Sequence, residues 1–263
     1  MIQKIKQLLN RSGFIIGVAR ALRAGRVDIR RLHGYTMRNG KIEAYLQSNS
    51  LKKLQIGTSK SPLAGWLNTD LLPSSRGLVY LDATRRFPFK DDTFDYVYSE
   101  HMIEHLDHRS AVAMLQESFR VLKPGGRIRI STPDLKVLVG LLSEARTGQQ
   151  NRYIDFMTRK FLPEVDDCKE VFVVNNAFRA WGHQFLYDRE TLRVTLARVG
   201  FEELEYYPPG VSNDENLRDI ELHGRVMGCE EINQFIAFAV EGRVPAPKIP
   251  LARSADLAGS KGE

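Results

Sequence analysis

The chain has 263 residues, 43% of them apolar, and a net charge of +6. That suits one α/β domain or two small ones and excludes a disordered chain; no apolar run approaches the ~18–20 residues of a membrane span. Two cysteines, Cys168 and Cys229, are too few for a disulfide framework, and no CxxC pair suggests zinc.

The charge is uneven. Residues 1–31 hold eight basic residues (Lys4, Lys6, Arg11, Arg20, Arg23, Arg26, Arg30 and Arg31) against one acid, Asp28. A basic segment on a near-neutral body suits a contact with phosphate groups. Ile5, Leu8, Leu9, Ile15, Val18 and Leu22 recur at helical spacing, which allows a membrane-surface helix; a solvated helix packed on the domain is the simpler reading. Phe14–Ala19 is short for a signal sequence and no small-residue cleavage site follows, so a cytoplasmic protein is expected.

Short apolar runs that end in polar residues predict strands at Leu54–Ile56, Trp66–Leu67, Leu78–Leu81 and Phe94–Tyr98. Only eight residues separate Gly57 from Trp66, short for a parallel crossover, so the intervening helix is expected to shrink to a turn or two closed by Gly65. Met114, Leu115, Phe119 and Leu122 predict a helix that Lys123-Pro124-Gly125-Gly126 stops before a strand at Arg127–Ile130. Arg189–Val199 predicts a further helix, closed by Gly200 and followed by strands at Phe201–Tyr207 and Ile236–Val240. Alternating strands and helices predict a doubly wound, Rossmann-like sheet. A main domain over 32–243 is expected, with an insertion at about 140–188 on the ligand-facing edge; residues 244–263, with three prolines, read as a disordered tail.

In such a sheet ligands sit beyond the carboxyl ends of the strands. Those positions hold Gly57, Asp70, Asp82 and Ser99-Glu100-His101. A carboxylate after the second strand suits the two hydroxyls of a ribose, and one after the third suits an adenine amino group. Each aspartate alone reads equally as a cap or turn residue; together, with Gly57, they suggest an adenosine-containing ligand.

LDATRRFPFKDDTFDYVYSEHMIEHL, ESFRVLKPGGRIRISTPDL and NNAFRAWGHQFLYDRETLRVTLARVGF resemble class I S-adenosylmethionine-dependent methyltransferases of the type 11 kind, over roughly residues 52–242. The resemblance implies a seven-stranded sheet, mostly parallel with a reversed last strand, and methyl transfer from the cofactor S-adenosyl-L-methionine. It puts Asp82, before Phe87-Pro88-Phe89, beside the adenine, with Gly57, Thr58, Ser59, Asp70, Ala83, Ser99 and Glu100 as the remaining cofactor candidates. Family members usually carry Gly-Cys-Gly where this chain has Gly57-Thr58-Ser59; a positive φ at Ser59 would cost on the order of 1–2 kcal/mol.

His101, just past the fourth strand, and His183, in the insertion beside Asn175, Asn176, Arg179 and Trp181, are the candidate catalytic bases. HMIEH has its glutamate in the wrong place for HExxH, so no metal is expected and His105 reads as a packing residue. SEHM replaces the Asp/Asn-Pro-Pro-aromatic loop of amino-methylating nucleic-acid enzymes, and no Walker or GxGxxG loop occurs. The acceptor is therefore expected to be a small molecule or glycan. An RNA methyltransferase using residues 1–31, or a non-catalytic partner protein that has lost cofactor affinity, are the alternatives.

Overall fold

A computed structural model describes residues 13–246. The segment with Ile5, Leu8 and Leu9, and the tail beyond residue 246, lie outside the described residues. A long helix α1 (Gly13–Ser48) runs through position 31 without a break. Its C-terminal half is anchored on the domain. Ile42 is buried, Lys41 Nζ donates to the carbonyls of Arg76 and Leu78, and Tyr45 OH lies within hydrogen-bond reach of those of Lys53 and Gly65.

Seven strands follow: β1 (Lys53–Ile56), β2 (Leu67–Asp70), β3 (Val79–Tyr80), β4 (Phe94–Glu100), β5 (Leu122–Pro133), β6 (Glu202–Tyr207) and β7 (Ala237–Arg243). They form one sheet in the order β3-β2-β1-β4-β5-β7-β6. Only β7 runs against its neighbours, so the expected mostly parallel sheet with a reversed last strand forms. Its register aligns Leu54 with Leu67 and Val97, and Ile130 with Val240. These side chains are almost wholly buried, each contributing roughly 1.5–3 kcal/mol by leaving water. Helix α2 (His108–Val121) is started by Asp107, whose side chain accepts from Ser110 N, and buries the predicted Met114 and Leu115.

Three predicted details change. Lys123-Pro124-Gly125-Gly126 is no free turn: β5 begins at Leu122, directly after α2. Phe94 pairs with Leu122 and Tyr96 with Arg127, so the four residues between bulge from the strand. A Cβ on Gly126 would lie 2.9 Å from the Lys123 carbonyl oxygen, which is why glycine is needed there. Secondly, Val244 exchanges backbone hydrogen bonds with Gly125 and Gly126, so order extends past the expected start of the tail. Thirdly, residues 57–66 between β1 and β2 hold turns and no helical turn.

The expected insertion is helical. Helices α3 (Leu135–Gly140), α4 (Gly148–Phe161) and α5 (Glu170–Arg179) share a second apolar cluster containing Leu138, Tyr153, Met157 and Val173. Helix α6 (Arg189–Val199) leads into β6, and α7 (His223–Met227) and α8 (Glu230–Ile236) lead into β7. Residues of α8 join the insertion's cluster through Ile232 and Ile236.

At the β5–β7 seam lies a buried ion cluster. Arg129 Nε is 2.6 Å from Glu221 Oε1, and its Nη1 is 2.6 Å from Glu241 Oε1, all three side chains being buried. Arg129 Nη1 also donates to the Val211 carbonyl. Removing the arginine leaves Glu241 with Arg127 alone and Glu221 with the Gly210 backbone alone. Arg129→Met is expected to cost about 3–5 kcal/mol, measured as a lowered urea midpoint; an unchanged midpoint would show that the carboxylates find other partners.

Candidate active site

A cavity of about 680 Å³ opens above the carboxyl ends of β1, β2 and β4 and continues under the helical insertion. Its position follows from strand order. β1 has β2 on one side and β4 on the other, and the connections leave in opposite directions there, which opens a crevice.

The floor begins at Gly57. Gly57 N and Thr58 N both donate to the Thr69 carbonyl, at 3.0 and 2.9 Å, which bends the chain across the end of β2. Gly57 has φ +75°, and a Cβ there would lie 2.3 Å from Met102 Cγ. Ser59 has φ 50°, so the strain considered for a serine at this position is present. Its backbone N donates to Asp70 Oδ2 at 2.8 Å, which offsets part of the cost. Thr58 Oγ1 is buried and without a partner beside the cavity.

The expected cofactor residues divide into two groups. Gly57, Thr58, Ser59, Asp70, Asp82, Ala83 and Glu100 line the cavity. Asp70 also accepts from Leu72 N through Oδ1, and Asp82 accepts from Thr84 N, Thr84 Oγ1 and Arg85 Nε. Both aspartates thus fill the local turn role while facing the cavity. Ser99 is buried and does not line it. Glu100 is tied down as well: its carboxylate accepts from Leu222 N and His223 N at 3.0 and 2.9 Å, which ties α7 to the end of β4. Burial pushes Glu100 up, against those two hydrogen bonds.

Four imidazoles, of His101, His105, His183 and His223, face the cavity around Glu104. Glu104 is fully buried. Its Oε2 accepts from Thr132 Oγ1 at 3.0 Å, and its Oε1 is 3.2 Å from His101 Nδ1. The other His101 nitrogen, Nε2, is 3.2 Å from Asn233 Oδ1. Burial opposes a charge on His101, but Glu104, with help from Glu100 and Asn233, holds its pKa above the ordinary value. Burial likewise raises Glu104, and contact with charged His101 outweighs it, leaving the carboxyl below its usual range. Both His101 nitrogens are engaged, so the ring lacks the free nitrogen that its expected role as a base requires.

His223 stacks on His101 with centroids 3.7 Å apart. Burial and then the charge of His101 push it down to about 3. His183 hydrogen-bonds the Ala177 carbonyl through Nδ1 at 2.7 Å, and burial lowers its pKa despite that bond and nearby Glu104. It is therefore neutral, with Nε2 outside that bond. His105, read as a packing residue, sits 5.0 Å from the His183 ring and lines the cavity. Asn175, Asn176 and Arg179, expected beside His183, instead line a separate open groove with Asp166 and Asp167. Glu104, His223 and Asn233 were not singled out in sequence as the frame of the site. His223 and Asn233 carry no motif, and a distance of more than a hundred residues separates them from His101.

Residues 56–130 match the family model described as a methyltransferase domain. Over 120 residues the chain is 28% identical to the ubiquinone/menaquinone biosynthesis C-methyltransferase UbiE of Cronobacter sakazakii, covering 46% of this chain and 43% of that protein. The UbiE protein of Blochmanniella pennsylvanica is 25% identical over 158 residues, 59% of this chain and 54% of its own. The chain thus spans about half the length of the curated relatives it matches. A solved S-adenosylmethionine-dependent methyltransferase from Archaeoglobus fulgidus aligns over 81% of this chain and 94% of its own, at 16% identity and a TM-score of 0.45. The matched segment runs from the end of β1 into β5, across the strand ends that line the cavity.

Proposed function

We propose that the chain transfers a methyl group from S-adenosyl-L-methionine to a small molecule with an apolar, ring-bearing body. The observation that carries this reading is the shape of the cavity. One end is the β1–β2 loop with Asp70 and Asp82; the other is walled by Tyr153, Met157, Phe161, Trp181 and Leu186 from the insertion. The volume falls within the ~300–1,000 Å³ of small-ligand sites. The matched relatives are named for C-methylation in quinone biosynthesis, which fits an acceptor of this kind.

The residues present fit the cofactor. Gly57 and Ser59 bend the backbone away from the space above β1, Thr58 Oγ1 is an unpaired buried polar atom beside it, and two carboxylates stand at the ends of β2 and β3. Asp70 would hold the ribose and Asp82 the adenine end. The cofactor supplies an activated methyl group, so the protein's work is alignment and exclusion of water. The insertion closes over the acceptor end. His101 is locked by Glu104 and Asn233, and neutral His183 turns its Nε2 lone pair to the acceptor end of the cavity.

A second reading, a partner protein that no longer holds the cofactor, draws on two observations: Met102 lies over Gly57, and Ser59 is strained. Calorimetric titration with S-adenosylhomocysteine separates the two. Saturable binding is expected, weakened at least about tenfold by Asp82→Ala, as loss of a charged hydrogen-bond acceptor implies. No heat at millimolar ligand with folded protein would favour the partner reading. Ser59→Gly is expected to stabilise the fold by roughly 0.5–1 kcal/mol, the relief of positive-φ strain less the entropy of glycine; a lower thermal midpoint would assign Ser59 a contact that outweighs the strain.

The histidine pair sets a pH dependence. Unfolded His223 takes up a proton below about 6.5, whereas the folded residue resists until about 3. Its contribution to stability is therefore full above about 6.5 and drains away as pH falls. His101 is shifted upward, so its contribution is full below its unfolded value and is lost as pH rises through its folded one. His223→Gln is expected to flatten the acid limb of the stability profile between about pH 6.5 and 4, followed by urea melts; a limb as steep as the parent's would assign it to other groups.

A further inference from the structure

The sequence order HMIEH argued against a metal, because one helix face does not carry an HExxH triad. The fold supplies the missing ligand from elsewhere. Glu104, His105 and His183 each present a ligand atom, and these atoms lie within 4.8 Å of one another. We propose that Glu104, His105 and His183 form a binding site for a divalent transition-metal ion at the insertion end of the cavity.

Three further observations point to a ligand there. Glu104 is wholly buried, and its Oε1 has no hydrogen-bond partner, having only the ion-pair contact with His101. His101 meets that oxygen from one side only, so a lone pair of the buried carboxylate remains for an ion. His183 is oriented as metal-bound histidines are: Nδ1 is fixed by the Ala177 carbonyl at 2.7 Å, which fixes the tautomer with Nε2 as the ligand. Finally, the backbone joins the two segments rigidly. Gln184 N and Phe185 N both donate to the Glu104 carbonyl, at 2.8 and 3.2 Å, and Gln184 Nε2 donates to the His105 carbonyl at 2.6 Å. Gly182, with φ +81°, leaves room: a Cβ there would come to 3.9 Å from His105 Nδ1.

Two imidazoles and one carboxylate suit zinc, iron(II), cobalt or nickel rather than calcium or magnesium. Ligand atoms about 2.0–2.2 Å from a tetrahedral ion stand ~3.4 Å apart, so the side chains must draw in by up to ~1.4 Å. His105, whose ring makes no hydrogen bond among the described residues, is the side chain free to turn, while His183 stays tied to Ala177. Three protein ligands leave coordination positions open towards the cavity. Resting on the methyl-transfer reading, an oxygen of the acceptor is the group that would fill one.

Ion binding is measured without cofactor or acceptor, so it stands or falls apart from that reading. The full chain, stripped with chelator and dialysed, is titrated with cobalt(II) and followed by visible absorption and calorimetry. One ion per chain is expected, with the visible bands of a low-coordinate nitrogen and oxygen site. His105→Ala and His183→Ala are each expected to weaken binding by at least about tenfold, since loss of even an outer-shell partner costs about 10–100-fold. Each should also abolish the rise in thermal midpoint that the ion gives the parent. Circular dichroism of the metal-free variants shows that they fold, and Cys168→Ser, which alters an exposed thiol, should leave binding unchanged. No uptake by the parent chain, or parent-like affinity in either folded histidine variant, overturns the site.

Discussion

Glu104 is buried without access to solvent, yet its carboxyl is held below the usual range, and much of the site is arranged around it. Thr132 from β5 donates to one oxygen and His101 faces the other. The Glu104 carbonyl receives the backbone of Gln184 and Phe185, so the residue that sets the field also fastens the insertion to the sheet. An isolated buried carboxylate would neutralise itself by binding a proton. Here the contact with His101 holds the carboxyl below its usual range, and burial, with His101 second, keeps stacked His223 low.

The cavity has two ends of different character. The floor is backbone: Gly57, Thr58 and the Thr69 carbonyl place it, and two aspartates stand at its rim. The roof is side chain, contributed by α4, α5 and the stretch after it, with aromatic and aliphatic walls. The insertion packs in a second apolar cluster that it shares with α8. Glu100 links the two by holding the backbone of Leu222 and His223.

The sheet was legible because its signals are local. Leu54–Ile56 and Phe94–Tyr98 are apolar runs that end in polar residues, and Met114, Leu115 and Phe119 repeat at helical spacing. Where a glycine run could serve either a turn or a bulge, as at Gly125-Gly126, only the strand beside it decides. The strand-end positions of Gly57, Asp70 and Asp82 were also readable, since order along a parallel sheet fixes which loops meet the ligand. The histidine frame was not. His101 reads as a base until Asn233, from α8, meets its second nitrogen; His105 reads as packing until His183 arrives from the insertion. Neither partner announces itself by spacing, because each contact joins residues that are neighbours only in the fold.

The turn-only crossover between β1 and β2 has an electrical consequence. In most sheets of this kind a helix begins here and directs the positive end of its dipole at the ligand, which suits phosphate. Residues 57–66 provide no such helix, while Asp70 and Asp82 stand at the rim. With no helix dipole there and Asp70 and Asp82 at the rim, the loop end of the cavity offers acceptors to hydroxyl and amino groups and no dedicated cradle for phosphate, while the cationic residues Lys60 and Lys160 also line the wall.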